Sequence, residues 1–344
     1  MRTPDKNRFF NAVNHIEQEE IPLYEQEADL AIVNKMMDKN YDLGLHSFEL
    51  PPDDVLEWNR LMGNDMVYFS HVWHLGRKEK KDKEGRVHYI GGLMKDSQSL
   101  KDLKYPNKAL IEHKLEETAR LIGGAGFGLI CGAQTAGFTV PTAIGYQDFC
   151  LAIYNDPSFV SDFQKRVHEY SMTELEMYLT YPVDAIKIGS GLITSNGPMI
   201  SPEMMEVYEF QYIQEQCNFI KSSGKRIIFH IDGLIRPWIP KFLEMGMDIL
   251  NPIDPCAGGQ DIYQIKEKFG NRLTLNGNID IDDVLLKGTP EQVQKDVINH
   301  MEKLAVGGGY IVASSHDLHQ LLPIENIYAM RDAVHSYRFK VKSF

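Results

Sequence analysis

The sequence predicts a single (β/α)8 barrel, an α/β fold of parallel strands, on three observations. Eight short β-prone apolar runs recur along the 344 residues, each ending in small or polar residues. Amphipathic, helix-like stretches lie between them, and no linker rich in Gly, Ser or Pro divides the chain. Near-continuous apolar strands alternating with helices indicate a parallel sheet covered on both faces. Eight such units in roughly 300 residues suit a closed barrel better than an open doubly wound sheet. One domain is expected across 1–344, with an insertion or lid within 40–115, where the alternation is weakest.

In chain order the first run, "IPLYE" (21–25), leads to Glu25 and Glu27. The second, "MVYFSH" (66–71), ends at His71, with His74 just beyond; "FGLICG" (127–132) is followed by Gln134, and "VDAIKIG" (183–189) by Ser190. Then come "RIIFHI" (226–231), which carries His230 and leads to Asp232, and "MDILNP" (247–252), with Asn251 and then Asp254. The last two are "RLTLNGN" (272–278), with Asn276 and Asn278, and "YIVASSH" (310–316), ending at His316. Between them "MMEVYEFQYIQEQCNFIKSSG" and "GLIRPWIPKFLEMG" read as helices that stop at glycine, and in the second Ile235, Ile239, Phe242 and Leu243 share one face.

A formal net charge of −12 argues against a grip on nucleic acid or on an anionic membrane surface, both of which need clustered Lys and Arg. The four cysteines are scattered with no C-x-x-C pair, which fits a reducing cytoplasm. No run of about 18 apolar residues and no signal-peptide core occurs, so a soluble cytoplasmic protein is expected.

In a barrel, the C-terminal strand ends line one mouth, and catalytic groups sit there. His230 and Asp232 stand two apart, the spacing that points both side chains to one side of an extended strand. With His316 from the last strand they make an N/O donor set suited to zinc, with Glu25 or Glu27 as further oxygen donors. The same residues also read as hydrogen-bonded strand ends without metal. His71 and Asp232 are the candidate acid/base groups, and Glu25, Glu27, Gln134, Asn251 and Asn278 the candidate substrate contacts. "VGGGYIV" (306–312) lacks the strand before and helix after that a phosphate loop needs, and Cys256 has no basic neighbour to activate it.

The stretches "GPMISPEMMEVYEF", "GKRIIFHIDG", "MGMDILNPIDP", "GNRLTLNGNIDI", "LLKGTPEQVQKDV" and "GGGYIVASSHDLHQLLPIENIYAM" resemble the uroporphyrinogen decarboxylase superfamily. That group holds the tetrapyrrole decarboxylases and the zinc-dependent, corrinoid-linked methyltransferases. The resemblance is strong from about 120 to 332 and implies a (β/α)8 barrel. The decarboxylases carry an Arg-rich segment after the first strand and an Asp after the second; here the first reads "YEQEADL" and His71 takes the second place. The methyltransferases that act on coenzyme M bind zinc through a His-x-Cys pair and a later Cys, where this chain has His230, Asp232 and His316. Replacing thiolates by imidazole and carboxylate leaves zinc a harder Lewis acid, suited to oxygen.

That exchange of donors, within the resemblance, leads to the expectation of a methyltransferase that demethylates a methoxylated or O-methyl compound. It would pass the methyl group to Co(I) of a corrinoid-binding partner protein, with zinc on His230, Asp232 and His316. A homodimer is compatible with this reading. Two alternatives stay open: a metal-independent decarboxylase or other lyase using His71, Asp232 or His316 as proton donor, and a non-catalytic ligand-binding barrel.

Overall fold

The computed structural model describes residues 2–341. Its centre is a seven-stranded parallel sheet built from β1 (Met66–Ser70), β2 (Gly128–Gly132), β3 (Ala185–Ser190), β4 (Arg226–Ile231), β5 (Ile249–Pro252), β6 (Thr274–Asn276) and β7 (Tyr310–Ile311). Each strand pairs with the next in sequence. Parallel neighbours need a crossover, and helices supply it: Lys108–Ile122 precedes β2, Pro157–Tyr178 precedes β3, Gln211–Ser222 precedes β4, and Pro290–Leu304 precedes β7. Local signals agree with these bounds. Thr289 and Gln292 form a reciprocal capping box at the start of Pro290–Leu304, and the short helix Ile239–Glu244 is followed by Gly246 at φ 87°.

Eight strands were expected and seven form ladders. The first expected strand, 21–25, is an extended segment with one bridge, Leu23 to Val312. Pro22 has no N–H to give a neighbour, which prevents a regular ladder there. The segment still ties the two outer strands of the sheet. Tyr24 N donates to Val312 O at 3.1 Å and Val312 N to Pro22 O at 3.0 Å on one side, while Asp65 N donates to Leu23 O at 3.0 Å on the other. The runs 272–278 and 310–316 are also shorter as ladders than expected; beyond β6 and β7 they continue as a bridge between Ile279 and Ser314.

Side chains alternate across the sheet with period two, and this alternation builds the interior. Met66, Ile130, Ala185, Ile228, Ile249 and Ile311 form one buried inner layer with Tyr24. The amphipathic helix Lys6–Val13 caps that layer from below with Phe9, Ala12 and Val13. Two residues further along the strands the same face carries Tyr68, Gly132, Lys187, His230 and Asn251, so the interior turns polar toward the strand ends. Gly132 is small for a reason: a Cβ there would stand 2.1 Å from the Tyr68 phenol oxygen. The opposite face, with Leu129, Ile186, Ile227 and Phe229, packs under the helices in the main apolar core.

Within 40–115, β1 belongs to the sheet, whereas an antiparallel hairpin, Arg77–Lys81 with Val87–Gly92, lies outside it. The hairpin rests on the helix Ala136–Ile144: Tyr89 Oη donates to Thr142 O at 2.9 Å and Met94 N to Ala143 O at 3.0 Å.

Candidate active site

A cavity of about 470 Å³ opens at the C-terminal ends of the strands. Its floor is polar, made by Tyr68, Lys187, His230 and Asp232 together with Glu27 and Asp317; its outer wall is apolar, with Phe138, Tyr146, Ile193 and Met199. The hairpin backs that wall, with the Arg77 guanidinium 5.6 Å from the Phe138 ring centre and Tyr89 edge-on to Tyr146. An apolar pocket with a few convergent polar groups is the usual form of a small-molecule site.

The structure brings His230, Asp232 and His316 together. His230 Nε2 lies 3.7 Å and His316 Nε2 4.0 Å from Asp232 Oδ2. Asn251 stands behind His230 rather than in the cavity lining: its Oδ1 is 2.7 Å from His230 Nδ1, while its Nδ2 donates to Asn276 Oδ1 at 2.8 Å. With Asn251 oriented by Asn276, His230 Nδ1 carries the proton, and the lone pair of Nε2 faces the cavity. Burial first, and the nearby Lys187 ammonium second, push His230 well below the ordinary imidazole range, so the ring is neutral. Burial raises the Asp232 carboxyl, and its Oδ1 is buried without a hydrogen-bond partner.

His230 Nε2 and Asp232 Oδ2 are thus two acceptors side by side, an arrangement that suits a cation. Donor atoms around tetrahedral zinc stand about 3.3 Å apart, so this pair fits with a shift of a few tenths of an ångström. His316 fits only after a rotation. Its Nδ1 accepts from Asp317 N at 2.8 Å, which leaves the proton on Nε2, the nitrogen that faces Asp232. As the side chains stand, no three His, Cys, Asp or Glu among the described residues form a group that could hold a metal ion.

The other residues singled out from sequence divide in two. Glu27 and Gln134 line the cavity. Glu27 Oε1 accepts from Ser47 Oγ at 2.7 Å, and Gln134 Nε2 donates to His71 O at 2.5 Å. Glu25, Asn278 and His71 lie outside the lining. Glu25 is buried beneath it, accepting from Ser314 N at 2.9 Å and Ser314 Oγ at 2.7 Å, and burial pushes its carboxyl up to about 8. Asn278 Nδ2 donates to Ile253 O at 3.0 Å. The His71 ring packs edge-on against Phe48, 4.9 Å between centres, and burial lowers it to about 4. The acid/base role expected for His71 therefore has no position in the cavity from which to act.

Three residues of the floor escaped the sequence reading, Tyr68, Lys187 and Asp317. Lys187 is mid-strand, and only strand ends were taken as mouth residues; its signal is a single charge inside the apolar run "VDAIKIG". Asp317 directly follows His316, and burial, followed by the Glu27 carboxylate, pushes it up to about 6.

Comparison with known proteins gives a consistent picture. The sequence profile described as uroporphyrinogen decarboxylase (URO-D) matches residues 89–337. A uroporphyrinogen decarboxylase of Methylobacillus flagellatus is 27% identical over 154 residues, 43% of this chain and 41% of that protein. One of Coxiella burnetii is 20% identical over 193 residues, 55% of this chain and 50% of the relative. The chain spans about half the length of the curated relatives it matches. Among solved structures, a methyltransferase from Methanosarcina mazei superposes with a TM-score of 0.73 over 97% of this chain and 99% of its own, at 14% identity. At that identity the likeness is one of fold.

Proposed function

The chain belongs to the uroporphyrinogen decarboxylase family, and from that premise we propose that it is a methyltransferase that demethylates a small methoxylated compound, with a corrinoid protein as methyl acceptor. The segment 21–25 is taken as the first position of a (β/α)8 barrel whose mouth holds the site. The observation that carries the reading is the lining of the cavity. A tetrapyrrole polycarboxylate needs several cations, and among the described residues the lining offers one Lys and no Arg. What it offers instead is a neutral imidazole beside a carboxylate, and an apolar wall opposite.

The transfer balances simply. The C–O bond of the methyl ether would break with its electron pair staying on oxygen, which takes up a proton, and the corrinoid acceptor, as second substrate, would supply the electron pair of the new bond to the methyl carbon. Zinc, held by His230 and Asp232 and by His316 once its ring turns, would supply Lewis acidity toward that oxygen. The chain's own contribution is position. The apolar wall holds the body of the substrate and excludes water, Asn251 keeps the His230 lone pair turned inward, and the open rim admits the second reactant.

The test is spectroscopic. Zinc-loaded protein mixed with a Co(I) corrinoid and a panel of methoxylated aromatics is expected to bleach the Co(I) band as the methyl-Co(III) spectrum grows. His230→Ala should lose zinc and slow the transfer by at least about 100-fold. No change with any methoxylated aromatic, methanol or methylated thiol would end the reading.

A further inference from the structure

Among the described residues, Lys187 is the charged side chain of the cavity floor that makes neither an ion pair nor a hydrogen bond. It is 7% exposed, lies on the inner face of β3 and lines the cavity. Its ammonium stands 4.9 Å from the centre of the Tyr68 ring. The charged and titratable groups facing it are Tyr68 from β1, Glu27 from the first segment, His230 and Asp232 from the end of β4, and Asp317 from the end of the last run. Among the described residues no carboxylate oxygen reaches ion-pair distance of Nζ and no hydrogen bond holds it. A buried ammonium normally has a partner, since removing it from water without one is costly. Here the ammonium has only the Tyr68 ring, in a cavity lined also by His230, Asp232, Phe138 and Tyr146.

We infer that Lys187 is the oxygen-recognition residue of this cavity: its ammonium donates to the oxygen of an aryl methyl ether and holds the phenolate left when the methyl group departs. The inference rests on the methyl-transfer reading and deepens it by naming the substrate class, a methoxylated arene whose ring lies on the Phe138–Tyr146 wall. An alkyl ether oxygen would become a far more basic anion, which a single ammonium holds less well than it holds a phenolate. Lys187 is here a catalytic residue, since it touches the oxygen from which the bond is broken. Burial lowers the Lys187 ammonium from its ordinary range, and the carboxylates of Asp317, Glu27 and Asp232 oppose that shift without occupying its donors.

The probe is 4-nitrophenol, whose phenolate absorbs visible light and whose neutral form does not. Chelator-treated protein is used, so no metal contributes to the signal. Bound probe is expected to show a phenolate-to-phenol ratio about tenfold above that in buffer, a shift of about one pH unit. Lys187→Met should remove the enrichment and Lys187→Arg should keep most of it. Should Lys187→Met fail to fold, the unmodified protein decides the matter alone: 4-nitroanisole, which lacks the ionisable oxygen, should bind about tenfold more weakly than the phenol. The inference is overturned by a probe bound in its neutral form, by enrichment that persists in Lys187→Met, by equal binding of phenol and ether, or by no binding at millimolar concentration. Its failure is separable from that of the methyl-transfer reading. Phenolate binding through Lys187 without any transfer to Co(I) would sink the reaction and keep the contact, and transfer from alkyl ethers alone would do the reverse.

Discussion

Glu209 shows how a single side chain sets a pH dependence. It sits in the one π-helical segment (Glu206–Phe210) of the stretch 202–222, fully buried, with the Ser190 side chain beside its carboxyl. Burial pushes its carboxyl from the ordinary 4.5 up to about 8. The folded state therefore keeps a proton that the unfolded state gives up. The stability this contributes is whole below about pH 4.5 and is lost as the pH rises toward about 8. Glu209→Gln, which keeps the shape without the charge, should match the parent protein near the acid end of that window and exceed it in urea midpoint at the alkaline end. Equal midpoints at both ends would show that Glu209 does not titrate on unfolding. Glu25 and Glu174, also raised to about 8, remain in both proteins, so the difference isolates Glu209. At this scale sequence was a partial guide. His230 and Asp232 were legible because two residues on one strand share a side. Lys187 was not, because a charge within an apolar run reads as an interruption until the register places it on the inner face beside His230. His71 was misplaced for the converse reason: the end of a strand does not fix which way its last side chain turns, and Phe48 claims that ring.

Elements were more legible than residues, and the reason is periodicity. The runs that became β1 to β5 are apolar and β-prone, and their ladders fall within the stretches read as strands but for one residue, β3 reaching Ser190. Where the ladder failed, at 21–25, the obstacle was the missing N–H of Pro22, a local rule overlooked in favour of the overall repeat. The hairpin Arg77–Lys81 with Val87–Gly92 was not resolved as such, since its polar, exposed strands carry no core-facing alternation. The packing of β4 gives a test of how much one element carries. Phe229 is fully buried and meets Phe242 edge-on, ring centres 4.9 Å apart, joining the strand to the helix Ile239–Glu244. Phe229→Ala should lower unfolding free energy by about 3–5 kcal/mol, read from urea denaturation. A loss below about 1 kcal/mol would mean that the site collapses around the gap and that the strand–helix contact is not a principal support.

For the molecule as a whole, the first residues do more than begin the chain. Arg8 reaches Asp65, just ahead of β1, and its other nitrogen meets Glu20 at 2.7 Å; Arg8 and Asp65 are both buried. This cluster fastens the helix Lys6–Val13 beneath the inner layer. Burial drives Asp65 up to about 6 despite the two neighbouring arginines, Arg2 and Arg8, so its charge depends on their staying in place. Arg8→Ala leaves Arg2 3.6 Å from Asp65 and should therefore cost about 1–3 kcal/mol, and Arg8→Met should cost about as much, since the charge and not the stem is what matters. Calorimetry of the two variants tests this, and a near-silent Arg8→Met would refute it. The fastening also bears on traffic. With that helix filling the lower end of the sheet, the cavity among the described residues opens at the strand ends, and a small reactant entering there would have to arrive before a large one that settles over the same opening. Two reactants of unequal size would then queue in a compulsory sequence imposed by the architecture alone.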